Sequence, residues 1–302
     1  MLFNKQLKKI LFFLFTYEFT FAIQNSALIT SNQSQNKIVA EFIKNESIYK
    51  MDLGPQCAFK TLIDVQNAEK NLNDPDLNLS YEQFIQKVKN YGLLDKKLFH
   101  DPKNTEPQHE EKAINSILSW TNEYIKRDWI YNPQKCFLSA KEVFSLFYYT
   151  GEGYKLLNRA IRQNDNDTLQ KFKIIGKHLN WALEKINPYN GFVKRIQNIS
   201  FKNDSEIALF NEKYAIGNII TNESYTSTTI GYPTFEGNIT YIIKTHTNCH
   251  YIADFSLVEQ LDENGFPFLE EEEVLCKPYT KFKVIDHKIQ NDTHKIYMEE
   301  VN

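Results

Sequence analysis

The hydrophobic period of this chain changes once, at Gly191, and that change limits what it can fold into. Before Gly191 the apolar residues recur at helical spacing. "EEKAINSILSWTNEYI" places Ile114, Ile117, Leu118, Thr121, Tyr124 and Ile125 on one face. "SAKEVFSLFYYT" opens with Ser139 and Glu142, the spacing of a capping box. "GYKLLNRAIR" and "TLQKFKIIGKHLNWALEKI" continue the pattern, the second through Leu169, Phe172, Ile175, Leu179, Ala182, Leu183 and Ile186. "NPYNG" then punctuates the chain. Beyond it, "GFVKRIQNIS", "NIITNESYTSTT", "GNITYIIKT", "CHYIADFS", "EEEVLC", "KFKVIDHKI" and "HKIYMEEV" are short, β-branched and aromatic. "QNDTH" reads as a closing hairpin turn, and one helix near "SEIALFNEKY" interrupts the strands. Helices followed by many short strands predict an α+β fold around an antiparallel sheet.

The 302 residues carry a net charge of −3, too small for an electrostatic footprint on nucleic acid or an anionic membrane. "MLFNKQLKK" followed by "ILFFLFTY" has the form of a signal peptide with a cleavage option after Ala22, so the expected product is secreted. The polar stretch from Gln24 to Asn36 predicts disorder. In an oxidising compartment Cys57, Cys136, Cys249 and Cys276 suggest two disulfides, with all three pairings open. Sequons such as Asn45, Asn78, Asn238 and Asn291 fit a glycoprotein, and the polar C-terminus encodes no lipid-anchor tail. "HTNCH" has no second cluster at ligand spacing, so a disulfide for Cys249 is preferred to a metal.

Four glutamates, Glu270 to Glu273, run into the apolar strand "VLC". Alternate strand residues share a face, so Glu271 and Glu273 point together while Glu270 and Glu272 point away, toward solvent. Two carboxylates on one face suit substitution at a sugar carbon, where one stabilises a cation and the other handles a proton. Upstream lie the hydroxyl-rich "SYTSTT" around Ser227 and a first strand carrying Arg195. In the order Arg, Ser-Thr, Glu-x-Glu, the chain from about Ala113 onward resembles the arginine-specific mono-ADP-ribosyltransferases of the Arg-Ser-Glu class. "YYTGEGYKLLNRAIR", "PYNGFVKR", "SYTSTT" and "EEEEVLCKPYTKFKVI" carry the resemblance.

That resemblance implies a split NAD-binding core of two small antiparallel sheets with an amino-terminal helical half. The implied organisation is a signal peptide over 1–22, an unassigned extension over 23–110 and an ADP-ribosyltransferase domain over 111–302. Glu273 would be the catalytic glutamate and Glu271 the residue that positions the acceptor guanidinium. Ser227 would orient Glu273 and line the nicotinamide pocket, Arg195 would hold the cofactor phosphates, and Ser256 would add a cofactor contact. The stretch Leu257 to Leu269, with Phe266 and Phe268, falls where relatives recognise their targets. The implied substrates are NAD, not distinguished from NADP, and an acceptor protein with an exposed arginine; no metal is expected. Lys194 and Ile196 flank the arginine where relatives carry an aromatic and a glycine, and Thr229 replaces the third motif serine. NAD hydrolysis, or a silent binding module on the same scaffold, are the alternative functions.

Overall fold

A computed structural model describes residues 57–95, 98, 109–127, 136–230, 236–256, 272–290 and 293–302. All of them fall in one compact unit, Tyr49–Asn302. The signal peptide, the polar stretch after it, Glu271 and the segment from Leu257 to Leu269 lie outside the described residues.

Among the described residues, six α-helices precede the sheet: α1 Leu62–Leu72, α2 Tyr81–Asn90, α3 His109–Lys126, α4 Ala140–Tyr148, α5 Tyr154–Gln163 and α6 Asn166–Lys185. The helix α4 starts where the capping box places it. Ser139 Oγ accepts from the Glu142 amide at 3.4 Å, and the Ser139 amide donates to Glu142 Oε2 at 2.7 Å. Helix α5 closes on Asn164, whose left-handed conformation (φ 50°) releases the chain into α6. On α6 the predicted face, Phe172, Ile175, Leu179, Ala182 and Leu183, is buried.

Helices α1 and α2 lie in the stretch left unassigned by sequence; α2 packs into the same core, and Glu69 of α1 accepts hydrogen bonds from Trp181 and Lys185 of α6. Phe84 of α2 meets Phe144 and His178 edge-on at centroid distances of 5.4 and 4.9 Å. Lys141 Nζ donates to the carbonyls of Leu77 and Leu79, and a Cys57–Cys136 disulfide ties this segment to the approach to α4.

The strands are β1 Gly191–Gln197, β2 Ile219–Asn222, β3 Thr226–Thr229, β4 Ile239–Thr245, β5 Cys249–Tyr251, β6 Glu273–Cys276, β7 Thr280–Gln290 and β8 Thr293–Val301, with helix α7 Asp204–Lys213 between β1 and β2. Gly217 (φ 92°) makes the turn into β2. The expected pair of separate antiparallel sheets is corrected on two points. Hydrogen bonding joins all eight strands into one open sheet, ordered β2-β7-β8-β4-β1-β3-β6-β5, and the β4–β8 pair is parallel. The sheet nevertheless narrows at one place. Strands β1 and β3 share a single register pair, Lys194 with Thr229, whereas β1 and β4 pair along all of β1. One face of the β3–β6 region packs on the helices, through Tyr225 and Leu275; the other joins a second core with Val193, Tyr241, Phe282 and Met298.

Candidate active site

The narrow junction between β1 and β3 opens a cavity of about 1040 Å³, lined on one side by α5 and the π-helical turn Tyr149–Gly153 before it, and on the other by β1, β2, β3 and β6. Arg195, Ser227 and Glu273 all line it, from three different strands. Each strand places its residue through register. Ser227 stands opposite Leu275, and Thr229 stands opposite Glu273, so these four side chains share the face toward the helices. Thr229, rather than Ser227, is the direct cross-strand neighbour of Glu273.

Glu273 is the first residue of β6 and only 4% exposed. Its Oε2 accepts a hydrogen bond from Ser256 Oγ at 2.6 Å, and its carbonyl accepts from the Ile252 amide at 2.9 Å. Ser256 therefore meets the site through the Glu273 carboxylate. Glu272, expected to face solvent, instead precedes β6 and is half-buried, and its charge adds to the burial that pushes the Tyr189 hydroxyl up to about 12.

Arg195 is half-buried, and its Nη1 donates to the Ser227 carbonyl at 2.6 Å. That bond holds the guanidinium across the gap where the β1–β3 ladder has stopped. Burial pulls the Arg195 pKa down, and the nearby Tyr149 and Tyr241 hydroxyls oppose the effect. The group remains a cation at any working pH. Arg162 of α5 is close enough to add repulsion, and its Nη1 donates to Ser224 Oγ at 3.0 Å. Among the described residues neither guanidinium has a carboxylate partner.

Among the described residues, six cations (Lys155, Arg159, Arg162, Lys194, Arg195 and Lys213) line the cavity against two carboxylates, Glu223 and Glu273. An excess of that size around a concave site selects an anionic ligand. Tyr149 forms the floor near Glu273, its ring 5.2 Å from that of Tyr225. Burial pushes its hydroxyl well above the usual range; the Asn158 hydrogen bond opposes this and the Glu273 charge adds to it, so the phenol stays neutral.

Among described residues no group of His, Cys, Asp and Glu is arranged to hold a metal ion. Cys249 instead bonds Cys276 directly across β5 and β6. No described helix is long and apolar enough to cross a membrane.

No family model matches the chain. Over 167 residues it is 29% identical to "Putative NAD(+)--arginine ADP-ribosyltransferase Mav" of Mycobacterium avium (strain 104), a match covering 54% of this chain and 18% of that protein. The chain thus spans less than a fifth of that relative's length. Among solved structures, the ADP-ribosyltransferase HopU1 of Pseudomonas syringae pv. Tomato DC3000 superposes with a TM-score of 0.52 at 15% identity, over 72% of this chain and 97% of that one. A truncated type III effector XopAI from Xanthomonas axonopodis pv. citri gives 0.51 at 16% identity, over 80% and 99%. The fold is that of an ADP-ribosyltransferase.

Within this ADP-ribosyltransferase fold the lining residues fit a dinucleotide diphosphate. Two guanidiniums without carboxylate partners among the described residues face one cavity, and a guanidinium fork matches phosphate oxygens. Asn158 adds a second sign. It is 8% exposed, donates through Nδ2 to Tyr149 Oη at 3.0 Å, and leaves Oδ1 without a partner. A buried unpaired acceptor on a cavity wall is what a ligand hydroxyl or amino group would satisfy. Sequence reasoning did not assign Tyr149, Asn158 or Arg162 to the site. The available signal was the polar stripe Lys155, Arg159 and Arg162, spaced i, i+4, i+7 on the helix that buries Leu157 and Ala160.

Proposed function

We propose that this chain transfers ADP-ribose from NAD to arginine side chains of acceptor proteins, releasing nicotinamide. The observation that carries this reading is the convergence of Arg195, Ser227 and Glu273 on one cation-rich cavity, although they lie on three strands separated in sequence. The likeness to the Mycobacterium avium protein, whose name specifies NAD and arginine, supports the same reading.

In this assignment Arg195 and Arg162 hold the diphosphate, and Asn158 Oδ1 accepts a hydrogen bond from the bound nucleotide. Glu273 stabilises the positive charge that develops on the ribose as its bond to nicotinamide breaks. Glu271, two residues before Glu273 in sequence, takes the role of fixing the acceptor guanidinium and removing its proton. The buried surroundings of Glu273 strengthen its electrostatic effect by excluding water. Because all four cysteines are in disulfides, we place the protein in an oxidising, exported setting.

The test is label transfer from labelled NAD to an arginine analogue, using the chain with its disulfides intact. Glu273→Gln is expected to lose activity by about a hundredfold or more, and Glu271→Gln to lose acceptor labelling more than nicotinamide release. Unimpaired transfer by Glu273→Gln would remove the centre of this assignment.

A further inference from the structure

We propose that Ser256 is the residue that positions Glu273, so that the orienting hydroxyl comes from the turn after β5 instead of from Ser227 on β3. This rests on the assignment of Glu273 as the charge-stabilising carboxylate. Ser256 Oγ lies 2.6 Å from Glu273 Oε2, within the range of a hydrogen bond donated to an ionised carboxylate. Both groups are enclosed, Ser256 at 6% and Glu273 at 4% exposure.

The serine is held from several directions. Its amide donates to the Ala253 carbonyl at 3.0 Å, closing the 3₁₀ turn Ala253–Phe255. Phe255, one residue earlier, is 1% exposed and belongs to the helical core. Ile252 donates its amide to the Glu273 carbonyl, and the Cys249–Cys276 disulfide ties the two strands that lead to the pair. The turn therefore cannot shift without moving core side chains, and Ser256 reaches the carboxylate with its rotamer settled before any ligand arrives. Ser227 occupies a different register position, opposite Leu275, and its carbonyl is engaged by Arg195. Holding Oε2 in this way fixes the plane of the Glu273 carboxylate.

A positioning role predicts a defect in turnover more than in binding. Ser256→Ala should lower kcat for nicotinamide release by about 10- to 100-fold, the cost of a hydrogen bond to a charged group, with KM for NAD changed less than threefold. Ser256→Thr, which keeps the hydroxyl, should recover most of the loss. A second reading needs no turnover. The carboxyl carbon resonance of Glu273 in isotopically labelled protein, assigned by its disappearance in Glu273→Gln, should move in Ser256→Ala and return in Ser256→Thr. A resonance unmoved in Ser256→Ala would overturn the proposal, as would an unchanged kcat, or a loss confined to KM. Wild-type protein that releases no nicotinamide would count against the proposed function, and the resonance would still decide whether Ser256 holds Glu273.

Discussion

At the residue scale, Glu142 shows how one side chain can serve two elements. Its position three residues after Ser139 marks it as a capping residue in sequence, and the structure adds a second task. Lys185 Nζ, itself 1% exposed, reaches both Glu142 oxygens at 2.8 and 2.9 Å and Glu69 at 3.0 Å. Burial pushes the Glu142 pKa up, and Lys185 opposes it. Removing the carboxylate leaves an enclosed ammonium with the partly exposed Glu69 carboxylate and a 3.4 Å contact to the Phe137 carbonyl. Glu142→Ala should therefore lose about 3–5 kcal/mol in urea unfolding, while Glu142→Met combined with Lys185→Met should lose much less. Equal losses in the two proteins would show that the ion pair is not what the site depends on. The capping half of this arrangement was legible because it is local; Lys185 lies 43 residues away and no spacing rule reaches it.

At the element scale, the strand bearing Glu273 depends on its neighbours for its place. Strand β6 has four residues and is buried throughout, too short to hold its register by itself. It is paired with β3 on one side and β5 on the other, and Cys249–Cys276 closes the β5 side with a sequence separation of 27. A loop of that length corresponds to about 3.5 kcal/mol of stabilisation through the unfolded chain. Replacing both cysteines by alanine should lower Tm accordingly and reduce nicotinamide release further than the stability loss alone explains, because β5 leads to Ser256. Calorimetry together with the release assay checks both. The run "NIITNESYTSTT" shows the limit of reading elements from texture. It looks like one strand, yet β2 pairs with β7 at the sheet edge and β3 pairs with β1 and β6 at the cavity. The Thr-rich composition is that of a strand in both places, and only non-local partners divide them.

For the whole molecule, two buried histidines set the response to acid. His178 Nε2 donates to the Asp76 carbonyl and His250 Nδ1 to the Ile186 carbonyl, which leaves Nδ1 of the first and Nε2 of the second unprotonated and without a partner. Protonation would bury a donor with nothing to receive it. Burial accordingly lowers His178 from 6.5 to about 3 and His250 to about 4. A histidine with a depressed folded pKa contributes its full stability above the unfolded pKa and loses it as pH falls toward the folded value. Each should therefore withdraw on the order of 3 kcal/mol between pH 6.5 and about 4. Asp76, drawn down to about 2 by Lys177 and Lys87, adds a further loss as pH falls below 3.8. Urea midpoints measured from pH 7.5 to pH 4 should fall steadily, and His178→Phe should flatten part of that slope. These groups also bind the amino-terminal helices to the rest, since Asp76 precedes α2 while Lys177 and His178 lie on α6. The described part of the stretch left unassigned by sequence, residues 57–95, is thus a stabilising part of the same unit.

What the amino-acid order determined by itself was everything that repeats at short range. The 3.6-residue period set α3 to α6 and their buried faces, Ser139 and Glu142 set a helix start, and the alternation after Gly191 set strands, among them the one that begins at Glu273. The motif residues Arg195, Ser227 and Glu273 could be named because they sit inside those short patterns. The tertiary structure alone decided the pairings. It chose Cys57 with Cys136 and Cys249 with Cys276 among three possibilities. It joined eight strands into one sheet with a one-pair junction at Lys194 and Thr229, and it gave Glu273 the hydroxyl of Ser256. Periodicity records which face of an element is apolar; it carries no record of which distant element will cover that face, and the cavity is built from such distant meetings.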